Sequence, residues 1–149
     1  MQWARLVSEL IQTHQPEEIL DLKARKGYFS ILAASYGAHV DVVDDVTNNG
    51  EYPDYLKVHP NITFFDAKVE DFKFKKKYDL IIIDISMPKM DGFEASERII
   101  EHDKDALIVA ISADNNPELI EKSELVGIKE FLPKPVRIED LKKVFAKYF

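Results

Sequence analysis

The chain has 149 residues and a net charge of −7, with 46% hydrophobic and 32% charged residues. That length predicts one domain whose core needs no covalent staple. The negative balance argues against nucleic acid or an anionic membrane as a partner, because the long-range field repels both. Cysteine is absent, which excludes disulfides and thiolate metal sites and points to a reducing cytoplasm. No apolar run reaches the ~20 residues that a bilayer span needs. The N-terminal "MQWARLVSEL" lacks the long apolar core of a signal peptide.

Trp3, Leu6, Val7, Leu10 and Ile11 recur at helical spacing, so the chain opens with an amphipathic helix that Pro16 ends. "EEILDL" predicts a short strand, and after Gly27 "YFSILAASYGA" predicts an apolar helix stopped by Gly37. "HVDVVDD" reads as a second strand and "ITFF" as a third. Between them Val46 to Pro60 holds turn formers and at most a short helix. "KVEDFKFKKK" is charged and fits neither period. "YDLIIID" is a fourth strand, apolar on both faces and therefore expected inside a parallel sheet. A helix from about Gly92 to His102, a fifth strand "ALIVAIS", a helix capped by Asn116 with Pro117 at its first position and Gly127 past its end, and a short sixth strand "KEFLPKP" follow. The last helix carries Ile138, Leu141, Val144, Phe145 and Tyr148 on one stripe. The alternation predicts a doubly wound, three-layer α/β sandwich with a mostly parallel sheet of five or six strands. Ligands in such sheets bind at the carboxyl ends of the strands, where strand order reverses.

Three of those strand ends carry chemistry. Asp84 ends the fourth strand, Ser112 the fifth and Lys134 the sixth. Asp84 alone reads equally well as a turn or capping residue. With its neighbours it offers a carboxylate nucleophile, a hydroxyl donor and an ammonium, the set a phosphoryl group requires. Lys134 stands between Pro133 and Pro135. A cis bond before Pro135 would aim it inward.

The pieces "DLIIIDISMPKMDGFE", "ALIVAISA" and "EFLPKPV" make residues 78–149 resemble the receiver domain of two-component response regulators. The resemblance implies a flavodoxin-like or Rossmann-like fold, with Asp84 as phosphoacceptor, Ser112 as switch hydroxyl and Lys134 as the phosphate-binding lysine. It places Phe131 at the switch aromatic, although that ring also reads as a core residue. It makes the Ser86 carbonyl a Mg2+ ligand, has Met87 and Pro88 shape the loop, and has Asp91 and Gly92 start the next helix. A histidine kinase and a downstream protein target are the implied partners. The implied activity is that of a phosphorylated switch with at most autophosphatase activity. With no DNA-binding segment after Phe149, the output is expected to be protein binding.

Magnesium takes hard oxygen ligands, and the receiver pattern requires more acids. Asp44 and Asp45 match the acidic pair locally, yet no long helix follows them. Asp21 ends a strand that such a helix does follow, and it is the preferred partner of Asp84, with Asp44 and Asp45 as rivals. Residues 1–77 resemble a class I methyltransferase that binds S-adenosylmethionine, through "ILDLKARKGYFSILAASYGAHVDVVDDV" and "NITFFDAKVEDF". Asp21, Asp44 and Asp66 stand at that family's acidic positions. Lys23 and Arg25 stand where its glycines are expected, so no bound cofactor is predicted there. The sequence thus reads as a hybrid, natural or engineered, of a methyltransferase-like half and a receiver-like half within one sheet. The methyltransferase topology sets the first strand beside the fourth, which brings Asp21 next to Asp84.

Overall fold

The computed structural model describes residues 2–22, 27–45, 53–85, 92–114 and 116–149. In chain order they form α1 (Gln2–His14), β1 (Glu18–Leu22), α2 (Tyr28–Ser35), β2 (His39–Asp44), α3 (Tyr55–Val58) and β3 (Ile62–Asp66). A 3₁₀ turn (Val69–Asp71) leads to β4 (Leu80–Asp84), α4 (Gly92–His102), β5 (Ile108–Ser112), α5 (Pro117–Val126), β6 (Glu130–Pro133) and α6 (Ile138–Tyr148). The six strands form one sheet in the order β3-β2-β1-β4-β5-β6, and every pairing is parallel. The doubly wound α/β sandwich read from the sequence is the observed fold.

Alternation along the strands divides the core into two layers. Ile19, Val40, Val42, Leu80, Ile82 and Val109 face α1, α2, α3 and α6. Leu20, Leu22, Val43, Ile81, Ile83 and Ala110 face α4 and the segment after β3. β1 and β4 are buried almost throughout, which is why their sequences are apolar on both faces.

Local signals explain the element ends. The Asn116 side chain accepts from Leu119 N at 3.0 Å, Pro117 occupies the first turn, and Gly127 closes α5 at φ 98. Gly27 enters α2 at φ 65, and a Cβ there would run into Leu56, so this glycine is held by backbone conformation and by packing. The Lys134–Pro135 peptide is cis.

The crossover from β3 to β4 is unusual for a doubly wound sheet. Residues 67–79 contain only the 3₁₀ turn, and the remainder forms no regular helix. Arg98 of α4 pins this segment through its guanidinium, which donates to the carbonyls of Glu70 at 2.7 Å and Phe72 at 2.9 Å. Among the described residues, the crossover therefore lays no regular helix on the face of β2 and β3.

Candidate functional site

At the carboxyl edge of the sheet β1 lies between β2 and β4. Asp21 pairs in register with Ile82, two residues before Asp84, so both aspartates project from the same face. Asp44 ends β2 with the same orientation. Asp21, Asp44 and Asp84 are each at most 9% exposed.

Lys134 follows β6 immediately. Its backbone N–H donates to the Ser112 carbonyl at 2.8 Å, and its ammonium donates to Asp84 Oδ2 at 2.6 Å. Ser112 lies one residue beyond Ile111, the register partner of Asp84, and its Oγ accepts from Asp114 N at 3.1 Å. Three strand ends thus converge as their sequence positions imply. Phe131 is half-buried on the opposite face of the sheet, packed with the α4-side core.

Asp21 has a different environment. The Ser30 hydroxyl in α2 donates to its Oδ2 at 2.5 Å, and among the described residues no cation stands within ion-pair range of it. Its carboxyl is pushed up to about 6 by burial, reinforced by the charges of Asp44 and Asp84 and opposed by the Ser30 hydrogen bond. Asp45 is buried as well, and its backbone N–H donates to Asp44 Oδ1 at 2.9 Å. Asp66 sits opposite Asp44 in register. Ser86, Met87, Pro88 and Asp91 lie outside the described residues, as do Lys23 and Arg25.

An apolar cavity of about 190 Å³ opens beside the Asp84–Lys134 pair, walled by Trp3, Phe29, Ile111 and Leu141. Trp3 and Ser30 were not foreseen as site residues. Ser30 had a signal, a polar side chain inside the apolar "YFSILAAS". Trp3 had none, because its approach depends on how α1 packs against α2 and α6.

Among the described residues, a carboxyl raised by burial on β1 thus stands beside a lysine-bonded carboxylate on β4. The model for the response regulator receiver domain matches residues 65–146, more than half of the chain. The chain belongs to the response regulator receiver family.

Among curated relatives of this receiver, the chemotaxis protein CheY of Treponema pallidum is 48% identical over 69 residues, 46% of each chain. The two-component response regulator ARR12 of Arabidopsis thaliana is 39% identical over 71 residues, 48% of this chain and 12% of that one. The matched stretches therefore span less than half of these relatives' own lengths. Solved structures align more widely. CheY4 of Vibrio cholerae superposes with a TM-score of 0.60 at 21% identity, over 90% of this chain and 99% of that one. CheY in the CheX-CheY-BeF3-Mg2+ complex of Borrelia burgdorferi gives 0.55 at 26% identity, over 90% of each chain.

Coverage of 90% reaches well into the first half, so the receiver-like fold extends beyond residues 78–149. The methyltransferase-like reading of residues 1–77 gains no support from these comparisons. β3, the third strand read from "ITFF", lies at the sheet edge beyond β2. No helix among the described residues is long and apolar enough to cross a membrane.

Proposed function

We propose that this receiver is a phosphorylated switch in two-component signalling, with Asp84 as the acceptor. The observation that carries the reading is the Lys134 ammonium, 2.6 Å from Asp84 Oδ2 at the ligand-binding edge of the sheet. A carboxylate oxygen of Asp84 attacks the donor phosphorus. The bond from phosphorus to the donor's nitrogen or oxygen breaks, and its electron pair leaves with the donor. Lys134 then meets a phosphoryl oxygen in place of the carboxylate, and the Ser112 hydroxyl donates to another.

Magnesium suits this donor set, because Mg2+ is commonly held by one or two carboxylates with waters completing its shell. Asp21 and Asp84 are the carboxylates that would hold it, with Asp44 behind them and the Ser86 carbonyl as a further oxygen. The ion would supply charge neutralisation for the incoming phosphoryl group. Movement of Phe131 would carry the change toward α5 and α6. A histidine kinase as donor, a downstream protein as target and a cytoplasmic location complete the reading. The Mg2+ and BeF3 of the Borrelia burgdorferi complex support the metal assignment by likeness.

The test is incubation with acetyl phosphate and Mg2+ followed by intact mass measurement. A gain of one phosphoryl group that disappears in Asp84→Asn is expected. No gain, under conditions that phosphorylate a known receiver, refutes the reading. A gain that persists in Asp84→Asn moves the acceptor elsewhere. The chain's one tryptophan, Trp3, lines the cavity beside Asp84, so its fluorescence should respond to BeF3 with Mg2+.

A further inference from the structure

The face of β2 and β3 that the crossover covers holds a cleft of about 470 Å³, remote in residue set from the Asp84 edge. Its volume is in the range of small-molecule sites. Three kinds of group line it.

The first is an aromatic floor. Phe65 of β3 and Phe72 of the crossover meet edge to face at 5.1 Å, and Phe65 remains 36% exposed. The second is a cationic rim. Lys73 and Lys75 line the cleft, both exposed, and neither has a carboxylate partner among the described residues. Asp71 shares that rim.

The third is a buried acceptor. Asp41 is 4% exposed and lines the cleft. Its Oδ2 is well served, by the Tyr78 hydroxyl at 2.6 Å and the Lys76 ammonium at 3.1 Å. Among the described residues its Oδ1 meets only His39 Nε2, at 3.8 Å, beyond hydrogen-bond range. His39 is committed elsewhere. Its Nδ1 lies 2.9 Å from Glu18 Oε2, a carboxylate that only accepts, and 3.4 Å from Lys76 Nζ; the shorter contact puts the hydrogen on Nδ1. Nε2 of that tautomer accepts from the Thr63 hydroxyl at 3.0 Å. Asp41 Oδ1 is thus a buried carboxylate oxygen that no protein donor reaches among the described residues, and a ligand donor would satisfy it.

We propose that the cleft binds a nucleotide, with the base on the Phe65–Phe72 floor, a base N–H donated to Asp41 Oδ1, and the phosphate at Lys73 and Lys75. Base–aromatic stacking and phosphate–ammonium pairing are the two attractions, and the orphan acceptor selects bases that carry a donor. Lys76 and the Tyr78 hydroxyl offset the charge of Asp41, so the carboxylate does not turn the phosphate away. The site is independent of phosphoryl transfer at Asp84.

The test is calorimetric titration of the metal-free chain with AMP, with the purine ribonucleotide that lacks the amino group, and with ribose 5-phosphate, alongside backbone amide NMR. Saturable AMP binding is expected, with shifts at Thr63, Phe65 and residues 73–76. Ribose 5-phosphate and the amino-free purine nucleotide should each bind at least about tenfold more weakly. The surface variants Phe65→Ala and Lys73→Glu/Lys75→Glu should each weaken AMP by about tenfold while the fold, read from the same spectra, persists. No saturation at millimolar AMP overturns the proposal. So do equal affinities for all three compounds, shifts confined to the Asp84 edge, or variants that bind AMP as the parent does.

Discussion

Two groups of acids lie on opposite faces of the same sheet, and they are organised in opposite ways. At the carboxyl edge Lys134 is bonded to Asp84, while Asp21 is buried with a hydroxyl for a partner and two like charges nearby. On the other face Lys76 lies 2.8 Å from Glu18 and 3.1 Å from Asp41, and Tyr78 donates to Asp41 as well. Burial pushes Glu18 up, but the hydrogen bonds from Lys76 and His39 outweigh it and hold that carboxyl below its ordinary value. Burial pushes Lys76 down, and its bonds to Glu18 and Asp41 outweigh that and raise it. Among the described residues the first group sets Lys134 against Asp21, Asp44 and Asp84. The other shares its cation and is already stable.

The largest effect that separates them is chemical. Asp84→Asn should reduce phosphoryl uptake from acetyl phosphate by at least about 100-fold, whereas Lys76→Met should leave it unchanged. Mass measurement after a fixed incubation checks both. Comparable losses in the two variants would erase the distinction between a reactive and a structural acid group.

Next in size is Lys134→Met. Asp84 would then stay buried without the Lys134 ammonium, on the strand next to Asp21. Because Lys134 is about one-third exposed, the metal-free chain should lose about 2 kcal/mol in urea unfolding, less than a fully buried pair would cost. Added Mg2+ should restore part of it. A loss unaffected by Mg2+ would mean that the surplus charge does not attract the metal.

The contrast was legible in the sequence on one side only. Asp84, Ser112 and Lys134 each end an apolar strand, and parallel strands that alternate with helices put such ends on one edge. Their convergence follows from local pattern. Asp21, Asp44 and Asp45 could not be ranked from the sequence with certainty, because their distances to Asp84 depend on strand order. The observed β3-β2-β1-β4-β5-β6 order puts Asp21 on the adjacent strand and Asp44 one strand further out. The second group left no local signature. Tyr78 and Asp41 are 37 residues apart, and "KFKKK" reads as a solvated charge run until the crossover folds Lys76 onto the sheet. The ambiguity of residues 68–77 had a physical basis, since that segment is held by Arg98 rather than by a period of its own.

Asp21→Asn sharpens the comparison through pH. Burial pushes the Asp21 carboxyl up to about 6 from an ordinary 3.8, so between these values the folded chain binds the extra proton. Stability from this group is present below the lower value and is lost as pH rises through the upper one. The metal-free parent should lose up to about 3 kcal/mol by this route between pH 4 and pH 7, and the variant should not. At neutral pH the metal-free variant should therefore be the more stable of the two, while its Mg2+ affinity falls. Parallel pH–stability curves for parent and variant would show that Asp21 is not held against its charge.

The last contrast uses a smaller change. Tyr78→Phe removes one hydroxyl that donates to Asp41 at 2.6 Å and leaves the ring in place. The carboxylate keeps Lys76 but loses a buried donor, so the variant should unfold about 1–2 kcal/mol more easily. Asp41→Asn should also destabilise, because the amide weakens the bonds from Lys76 and Tyr78. The same Asp-to-Asn change then carries opposite signs, stabilising at Asp21 and destabilising at Asp41 in the metal-free chain. Burial is nearly equal at the two positions, 6% and 4% exposed, so burial cannot supply the difference. The sign follows from the donors and charges each carboxylate meets. Urea unfolding of both variants at neutral pH reads it directly, and equal signs would refute the division of the two acid groups into a site and a strut.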